Sequence, residues 1–550
     1  MLYKKRDFPM EVEVKRIDHL GIVAGIIKDL GIVDMINSHI GCDDQEEISS
    51  GEIIAGMILN GLGFVSRPLM LTPQFFENKS LDILIRDGIK SKHFNRHKIG
   101  RVLDRISDYG CEKLFSIVAL DACRRESVDM KFGHSDTTTH SLTGEYDSDS
   151  DIEKINVVNG YSKAKRPDLK QVVQELVTSQ DGGIPFITKV WSGNASDSVI
   201  LRNRAKALME EFSKSNNRYL VADSKLYAEE TAKTLNNIYY ITRVPAALKL
   251  EQIYVSKAIE SSDSWHTNTN GYKLQEFSVD CYGIENQRWV IIYSEQARIR
   301  SEKTLKKEVS RESDRIKKEV FHLQAQRFSC EDDAKKELNL ISKKWKYHHV
   351  SNQQIISINR NEKRGRPTNE SPQKCEWQIK AEATLDQSYI DKILDQKSCF
   401  VLSTNVPSND LSSDEVLISY KGQDKTEKGF AFLKSPDFFT SSLFLKKPSR
   451  IDGLLMIMVL SLLVYSIAQR RLRTQLLLLK ETIPNQINQP VQNPTMRWVF
   501  QLFEGINCVT LTIENVITKV IEGLNPLRLQ IIRLLGPSVQ AIYKISIAGG

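Results

Sequence analysis

Hydrophobic positions in the first part of the chain recur with helical spacing. Residues 53–62 form an apolar run, and the preceding Ser-Ser-Gly-Glu segment at 49–52 is typical of a helix N-terminus. Residues 97–109 place aliphatic side chains on one face and charged ones on the other, and Gly110 then supplies a stop signal. The pattern predicts that residues 1–125 are helical. Such helices fit a helix-turn-helix DNA-binding region and a plain helical bundle equally well.

From about residue 128 the hydrophobic pattern changes to that of strands. Residues 128–135, 172–178 and 184–191 are strand-like, and the Asp-Gly-Gly turn at 181–183 joins the last two as a hairpin. The elements that follow alternate: a helix at 197–212, a strand at 218–223, a helix at 228–235 and a strand at 238–244. Three antiparallel strands followed by this alternation predict a mixed α/β sheet.

The alternation stops near residue 245 and resumes with a strand at 398–404 and a helix at 413–433. Between them, 302–345 is long, charged and helical, with too few apolar positions for a core and enough lysine to line a phosphate track. We therefore predict an inserted domain that contacts DNA. The predicted regions are a helical N-terminal region (1–125), with DNA binding as one interpretation, an α/β core in two parts (126–245 and 398–470), the insertion (246–397) and a helical C-terminal region (471–550).

The most apolar segment, residues 453–468, bears on whether the chain enters a membrane. Its sixteen residues are fewer than the roughly twenty that span a bilayer. A fully buried core helix is the favoured interpretation over a membrane span. We expect this helix to pack on the catalytic sheet beside the helix over 413–433.

Composition narrows the class of protein without deciding it. The chain has 550 residues, 41% hydrophobic and 26% charged, so two to four globular units are expected. Its formal charge of +7 permits nucleic-acid binding. The eight cysteines form no C-x-x-C pair, which argues against a zinc ribbon and favours buried thiols in a reducing cytosol. The N-terminus has no apolar stretch of the kind found in secretory signals.

Three acidic residues lie where the ends of predicted elements would bring them together. Asp136 ends the first predicted strand, Asp223 ends a later one, and Glu427 lies on the helix over 413–433. Carboxylates placed in this way can hold two Mg²⁺ ions, which activate an attacking oxygen on a phosphodiester and stabilise the leaving one. Taken singly, each acid also fits an ordinary solvated surface residue. The chain has neither a P-loop nor a dinucleotide-binding glycine motif.

The residues around these acids follow a family pattern. Tyr420, Gln423, Glu427 and Lys434 match Tyr-x2-Arg-x3-Glu-x6-Lys, with glutamine in place of arginine. Further stretches agree in order along the chain: GRVLDRISDYG (100–110), HSDTTTHS (134–141), GYSKAKRPDLKQ (160–171), GNASD (193–197), YITRVP (240–245), EKGFAFLKSP (427–436), FLKKPSRIDGLLMIMVLSLLVYSIAQRRLR (444–473) and QPVQNPTMRWVFQLFEG (489–505). From about residue 10 to 540 the chain resembles bacterial DDE transposases of the insertion-sequence-four superfamily.

The resemblance implies a ribonuclease-H-like α/β catalytic core with a mixed, partly β insertion between the second Asp and the Glu. It implies that Asp136, Asp223 and Glu427 hold two Mg²⁺ or Mn²⁺ ions and cut the ends of the chain's own element for joining to target DNA. Implied partners are double-stranded DNA, at the transposon ends and the target, and a second copy of the chain in the DNA complex. The implied location is the cytoplasm of a bacterium, at the nucleoid.

The resemblance also implies contacts with phosphates at the transposon end for Tyr420 and Lys434. A continuous helix would place residues 420, 423, 427 and 434 on one face, which agrees with this role. For Lys434 the alternative is an ordinary exposed lysine. Gln423 can still donate to a phosphate, but more weakly than the arginine of the family pattern.

Two other groups of residues are candidates with open alternatives. Arg364 and Arg366 lie in Lys-Arg-Gly-Arg-Pro, which resembles an AT-hook for the minor groove but fits a solvated basic loop equally well. His134 and His140 share the strand face of Asp136, where uncharged structural histidines are the default.

Three other functions remain alternatives. One is a ribonuclease-H-like nuclease without strand transfer, and another is a catalytically decayed transposase kept as a DNA-binding repressor. A membrane protein is the most distant of the three.

Overall fold

The structure is a computed structural model, and it divides the chain into two compact units. The first unit comprises Met1–Thr242, Tyr282–Glu285 and Leu417–Gly550, and the second comprises Arg243–Cys281 and Asn286–Val416. The described residues are 10–41, 46–64, 69–146, 155–163, 165–208, 218–261, 264–361, 373–435, 445–513 and 516–543.

The N-terminal part of the first unit is mostly helical, and helices form over the two predicted segments, 53–62 and 97–109. Its helices are α1 (Leu20–Asp29), α2 (Ile32–Ile40), α3 (Ser50–Leu62), α4 (Thr72–Phe76), α5 (Leu81–Leu84), α6 (Arg96–Tyr109) and α7 (Cys111–Arg125). In α3, Ser49 and Glu52 form a reciprocal capping box, with Ser49 N donating to Glu52 Oε2 at 2.8 Å. After α6 the chain turns at Gly110, whose φ of 106° favours glycine. Local chemistry therefore sets the start of α3 and the end of α6.

A mixed α/β arrangement follows, as the sequence predicts. Its strands are β2 (Phe132–Leu142), β3 (Lys170–Ser179), β4 (Pro185–Ser192), β5 (Tyr219–Ala222) and β6 (Tyr239–Arg243), and its helices are α8 (Asp197–Ala207) and α9 (Ala232–Leu235). The strands are hydrogen-bonded in the order β4-β3-β2-β5-β6. The β2–β3 and β3–β4 pairs are antiparallel, whereas β2–β5 and β5–β6 are parallel.

Strand β2 is longer than its predicted range of 128–135. It continues through three consecutive threonines at 137–139, and it pairs with β3 as far as Leu142 opposite Lys170. The β-branched threonines favour this extension. The prediction that Asp136 ends the strand is therefore wrong, because Asp136 lies in its middle.

The C-terminal part of the first unit contains the most apolar helix. Its elements, together with the helix that leads into it, are α14 (Ser413–Lys421), α15 (Asp424–Leu433), α16 (Pro448–Leu478), α17 (Met496–Leu502), α18 (Pro526–Leu535) and α19 (Pro537–Ile542). By length and composition α16 qualifies as a membrane span, but 89% of its apolar window is buried inside the protein. It packs against β4, α3, α6 and α15. The predicted buried helix on the sheet, next to the helix of Glu427, is confirmed.

The predictions of wholly helical termini are wrong. The strand β1 (Met10–Arg16) pairs antiparallel with β15 (Asn507–Ile513), which in turn pairs with β16 (Val516–Glu522). All three segments are rich in residues that favour strands: β1 alternates valine with charged residues, and β15 and β16 contain valine, isoleucine and threonine. A short pair, β13 (Ile483–Pro484) with β14 (Pro490–Val491), also lies within the region predicted as helical.

The second unit is mixed and has its own apolar interior. Its elements are α10 (Lys249–Glu260), β7 (His266–Thr267), β8 (Lys273–Ser278), β9 (Arg288–Tyr293), α11 (Glu295–Ala325), α12 (Glu331–Ser342), β10 (His348–Asn361), β11 (Gln373–Leu385), α13 (Gln387–Lys397) and β12 (Cys399–Thr404). Its strands are bonded in the orders β12-β9-β8-β7 and β10-β11. Leu305, Ile316 and Leu323 are buried along α11, so the prediction that 302–345 contributes no core is wrong. A narrow apolar stripe is enough for a small unit.

The cysteines are only partly buried, which corrects the expectation of buried thiols throughout. Cys111, Cys123, Cys281 and Cys508 are buried. Cys330 and Cys375 are exposed. Cys330 precedes α12, where its sulfur accepts a hydrogen bond from Asp333 N at 3.4 Å.

Candidate active site

Parallel pairing of β2 with β5 brings Asp136 and Asp223 together. The last pair of this ladder is Ser135 opposite Ala222, so Asp136 and Asp223 are the next residues on the two neighbouring strands. At this point β5 ends while β2 continues along β3. The register therefore places the two carboxyl-bearing residues side by side, although only one of them ends a strand.

Both aspartates favour the protonated form more than an ordinary aspartate does. Burial raises the pKa of Asp136 to about 6, and the charges of Asp223 and Asp197 act in the same direction. The Thr137 N–H, which donates to Asp136 Oδ1 at 2.7 Å, and the charge of Lys163 oppose this shift. Burial also raises the pKa of Asp223, and Asp197 adds to it. Neighbouring, partly desolvated carboxylates of this kind are a place where a cation would be stabilised.

Lys163 and Asp197, which were not among the candidates from the sequence, also belong to this group. Thr137 Oγ1 donates to Asp197 Oδ1 at 2.6 Å, and Lys163 Nζ lies 3.2 Å from Asp197 Oδ2. Lys163 Nζ also donates to the Thr137 carbonyl oxygen at 2.8 Å. Both residues stand in family-like stretches, but Asp197 begins α8 after the Ser196 cap and so has the appearance of an ordinary helix-start acid.

The helix predicted over 413–433 is broken near its middle. Helix α14 ends at Lys421 and α15 begins at Asp424. A Cβ on Gly422 would lie 2.9 Å from the His134 ring, so this close approach to β2 requires glycine. The prediction that residues 420, 423, 427 and 434 share one helix face is therefore wrong. Tyr420 lies on α14, and Gln423 is buried, with 8% of its surface exposed.

Helix α15 packs directly on the strands that form the site. Thr426 Oγ1 lies 2.6 Å from Thr178 Oγ1 of β3, and Lys434 follows the end of α15. Burial lowers the pKa of Lys434, Lys163 lowers it further, and the charge of Asp136 opposes both, so Lys434 lies within electrostatic range of Asp136.

Glu427 is exposed and is not among the charges that act on Asp136 or Asp223. Its placement on a helix packed against β2 agrees with the sequence analysis, but its role as a metal ligand stays a prediction. Arg364 and Arg366 lie outside the described residues, so the AT-hook hypothesis also stays a prediction.

The two histidines near Asp136 are structural. Burial lowers the pKa of His134 and that of His140 to about 4, so both rings are neutral at physiological pH. His140 Nε2 lies 2.7 Å from Gln174 Oε1, and His134 Nε2 lies 3.4 Å from Gln180 Oε1. The default interpretation of these residues is confirmed.

The donor set suits a hard divalent cation through two carboxylates. Within the described part of the chain, no three His, Cys, Asp or Glu side chains form a group that could hold a metal ion. Mg²⁺ keeps several waters and is commonly bound through one or two carboxylates together with substrate phosphates. Asp136 and Asp223 would supply that pair, and burial is the main cause of the raised pKa of both.

We expect Asp136→Asn to stabilise the metal-free protein above pH 6. The pKa of Asp136 is raised in the folded state, so folding is favoured where this carboxyl is protonated, and that stability is lost as the pH rises from about 4 through about 6. Asparagine removes the loss, which amounts to at most about 3 kcal/mol. Thermal unfolding in EDTA at pH 8 and pH 4 measures the effect, with exposed Asp108→Asn as the control. Equal stability of variant and wild type at pH 8 would contradict the claim that the ionised Asp136 carboxylate destabilises the folded protein.

Comparison with known proteins gives limited matches. A domain of unknown function, DUF4277, matches residues 12–120. No curated protein matches the chain at a significant level. Among solved structures, the piggyBac transposase synaptic complex with hairpin DNA is similar at 9% identity and a TM-score of 0.34, over 83% of this chain and 77% of that chain. The DUF4277 match spans the N-terminal helices and ends before β2.

Proposed function

We propose that this chain is a DDE transposase of the insertion-sequence-four type, which cuts DNA at the ends of its own element and joins them to target DNA. The observation that carries the proposal is the register that sets Asp136 beside Asp223. Strand order β4-β3-β2-β5-β6, with the first three antiparallel and the last two added in parallel, supports a ribonuclease-H-like core. The family-like residues around both acids support the same assignment.

Asp136, Asp223 and Glu427 would hold two Mg²⁺ or Mn²⁺ ions. When bound, such ions activate the attacking oxygen and stabilise the leaving oxygen of an in-line phosphoryl transfer. The chain's own cations complete the site, because Lys163 and Lys434 both act electrostatically on Asp136 and can attract the phosphate of the strand to be cut. Thr137 fixes the geometry by donating its N–H to Asp136 and its hydroxyl to Asp197.

DNA binding is assigned to Tyr420 and Lys434, and to Arg364 and Arg366 outside the described residues. Gln423 is buried and is therefore left out of this assignment. The partners would be terminal-repeat and target DNA, with two copies of the chain in the complex. A bacterial cytoplasm, at the nucleoid, is the proposed location.

Cleavage of the element's own ends tests the proposal directly. We expect the purified chain, with Mg²⁺, to cut a duplex that carries the inverted repeats flanking its gene and to join the cut end to a plasmid. Because the carboxylates act only through a divalent cation, excess EDTA should abolish both products. The measurement is gel separation of cut and joined DNA, with a scrambled-repeat duplex as the control.

The alternative functions give different products in the same assay. Cutting without joined product would identify a nuclease and refute the transposase proposal. Repeat-specific binding with no cutting in Mg²⁺ or Mn²⁺ would identify a repressor. Robust cutting in excess EDTA would refute the metal-dependent mechanism.

A further inference from the structure

A cavity of about 550 Å³ lies in the first unit, outside the group around Asp136. Three elements form its walls: α15, the middle of α16 and the β3–β4 turn over 181–183. The side chains that matter chemically are Lys425, Lys428, Phe432, Tyr465, Arg470 and Arg473. With Asp181 and Asp424 they give four cations against two carboxylates, so the cavity is positively charged.

The cavity residues of α15 form a stripe along that helix. Lys425, Lys428 and Phe432 are spaced i, i+3 and i+7, which places them on one stripe of the helix. Glu427 and Lys434 are seven residues apart and form a second stripe, about 100° or more away from the first. Lys425, Lys428 and Phe432 therefore lie on a different part of the α15 surface from Glu427.

Arg473 is a half-buried cation without a carboxylate partner. Its side chain donates Nε–H to the Pro494 carbonyl oxygen at 2.8 Å, and no carboxylate of the described residues pairs with it. Burial lowers its pKa, which shows a desolvated charge that is not compensated. The neighbouring Arg470, in contrast, pairs with Asp181 at 2.6 Å. An unpaired, partly desolvated guanidinium is suited to an anionic ligand.

Lys425 adds a second charge that the protein leaves poorly compensated. Burial lowers its pKa. The charges of Asp181 and Asp424 oppose this shift, and those of Lys428 and Arg473 act in the same direction as burial. Its ammonium group donates a hydrogen bond to the Gln180 carbonyl oxygen. Like charges held within electrostatic range of each other cost stability unless an anion lies between them.

An aromatic wall stands beside these cations. The ring centroids of Phe432 and Tyr465 are 4.5 Å apart, with planes inclined by 40°. The Tyr465 hydroxyl accepts a hydrogen bond from Arg497 N at 3.0 Å, which fixes the ring. Aromatic rings next to cations suit a phosphate that carries a sugar and a base better than they suit a bare ion.

We propose that this cavity binds a phosphate group of a DNA strand, with Arg473 and Lys425 as its ligands and the Phe432–Tyr465 wall against the attached nucleoside. The proposal rests on the proposed function for its choice of DNA as the source of the phosphate. The site would hold the strand while the group around Asp136 acts on it.

Phosphate binding by the full-length protein in EDTA tests the proposal, because cleavage plays no part in it. Isothermal titration with inorganic pyrophosphate measures the anion site. Binding of a 20-base-pair duplex that lacks the terminal repeats, at several salt concentrations, measures the contact with DNA. We expect Arg473→Gln to weaken pyrophosphate binding about tenfold or more and to flatten the salt dependence by about one unit of slope.

Two matched variants control for charge and for folding. Arg124→Gln removes an arginine that is 77% exposed, and we expect it to leave pyrophosphate binding unchanged. Arg473→Lys keeps the charge but loses the planar donors, so it should restore most of the salt slope and only part of the pyrophosphate affinity. Lys425→Gln repeats the test from α15, so the result stands even if Arg473→Gln unfolds.

The outcomes separate this proposal from the proposed function. If Arg473→Gln and Lys425→Gln lose pyrophosphate binding but keep the wild-type salt slope on DNA, a free phosphate compound is the ligand and the DNA proposal is overturned. Unchanged pyrophosphate binding in both variants overturns the cavity as an anion site. If the protein cuts no DNA, the transposase proposal is refuted. The binding measurements on the cavity variants can still support or overturn the phosphate site.

Discussion

Changing Asp136 or Asp223 to asparagine is expected to lower metal-dependent DNA cleavage at least about a thousandfold. Each carboxylate would contribute several kcal/mol through the cation that it holds, and each 1.4 kcal/mol is about a factor of ten in rate. DNA binding should change little, because affinity comes mainly from phosphate contacts elsewhere. Single-turnover cleavage of a terminal-repeat duplex measures the rate, and a gel-shift assay measures binding.

The third carboxylate is where this experiment discriminates most. The resemblance assigns Glu427 as the third metal ligand. The carboxylate whose charge raises the pKa of both Asp136 and Asp223 is that of Asp197. If Glu427 is the ligand, Glu427→Gln should lose as much activity as Asp136→Asn. Asp197→Asn should then lose less, because Asp197 is held by Thr137 and Lys163 and acts by positioning them.

Matched controls make the comparison interpretable. Asp108→Asn makes the same chemical change on the exposed face of α6 and should leave cleavage at the wild-type rate. If Mn²⁺ restores cleavage by Asp136→Asn, this result is still consistent with Asp136 as a metal ligand. Full activity of Asp136→Asn in Mg²⁺ would remove Asp136, and with it the proposed catalytic pair, from the mechanism.

Local chemistry explains which parts of this fold were predictable. The capping box at Ser49 and Glu52, the stop at Gly110 and the turn at 181–183 are all set by residues a few positions apart. Helix α16 was equally predictable, because an uninterrupted apolar segment must be buried somewhere. The position of Asp223 was also within reach, since it follows the apolar strand segment 219–222.

The errors arose where distant residues decide the outcome. The pairing of β1 with β15 joins segments about 500 residues apart, so no local pattern reveals it. The break between α14 and α15 comes from the approach of Gly422 to His134 on another element. Asp197 joins the site through Thr137, a contact that depends on how α8 packs. Local propensity carries no information about such contacts.

Glu175 is the clearest case of a residue that only the structure explains, and its removal is expected to destabilise the first unit strongly. It lies in β3, fully buried, where Arg204 Nε donates to its Oε1 at 2.8 Å and Trp191 Nε1 donates to its Oε2 at 3.0 Å. Arg204 is itself buried and also pairs with Glu112 at 2.8 Å. This network ties β3 and β4 to α7 and α8.

We expect Glu175→Ala to lower the free energy of unfolding by about 3 to 5 kcal/mol, since it leaves the buried Arg204 guanidinium short of a partner and opens a cavity. Glu112→Ala should lower it by no more than about 1 kcal/mol, because Glu112 is 36% exposed and water can replace it. Urea unfolding followed by circular dichroism measures both values. The double change of Glu175 and Arg204 to methionine should be less destabilising than Glu175→Ala alone, because it removes both buried charges together. A double variant less stable than Glu175→Ala would contradict this explanation. The paired geometry of Glu175 and Arg204 would then stabilise the fold, and the unpaired charge would not be the cause of the loss.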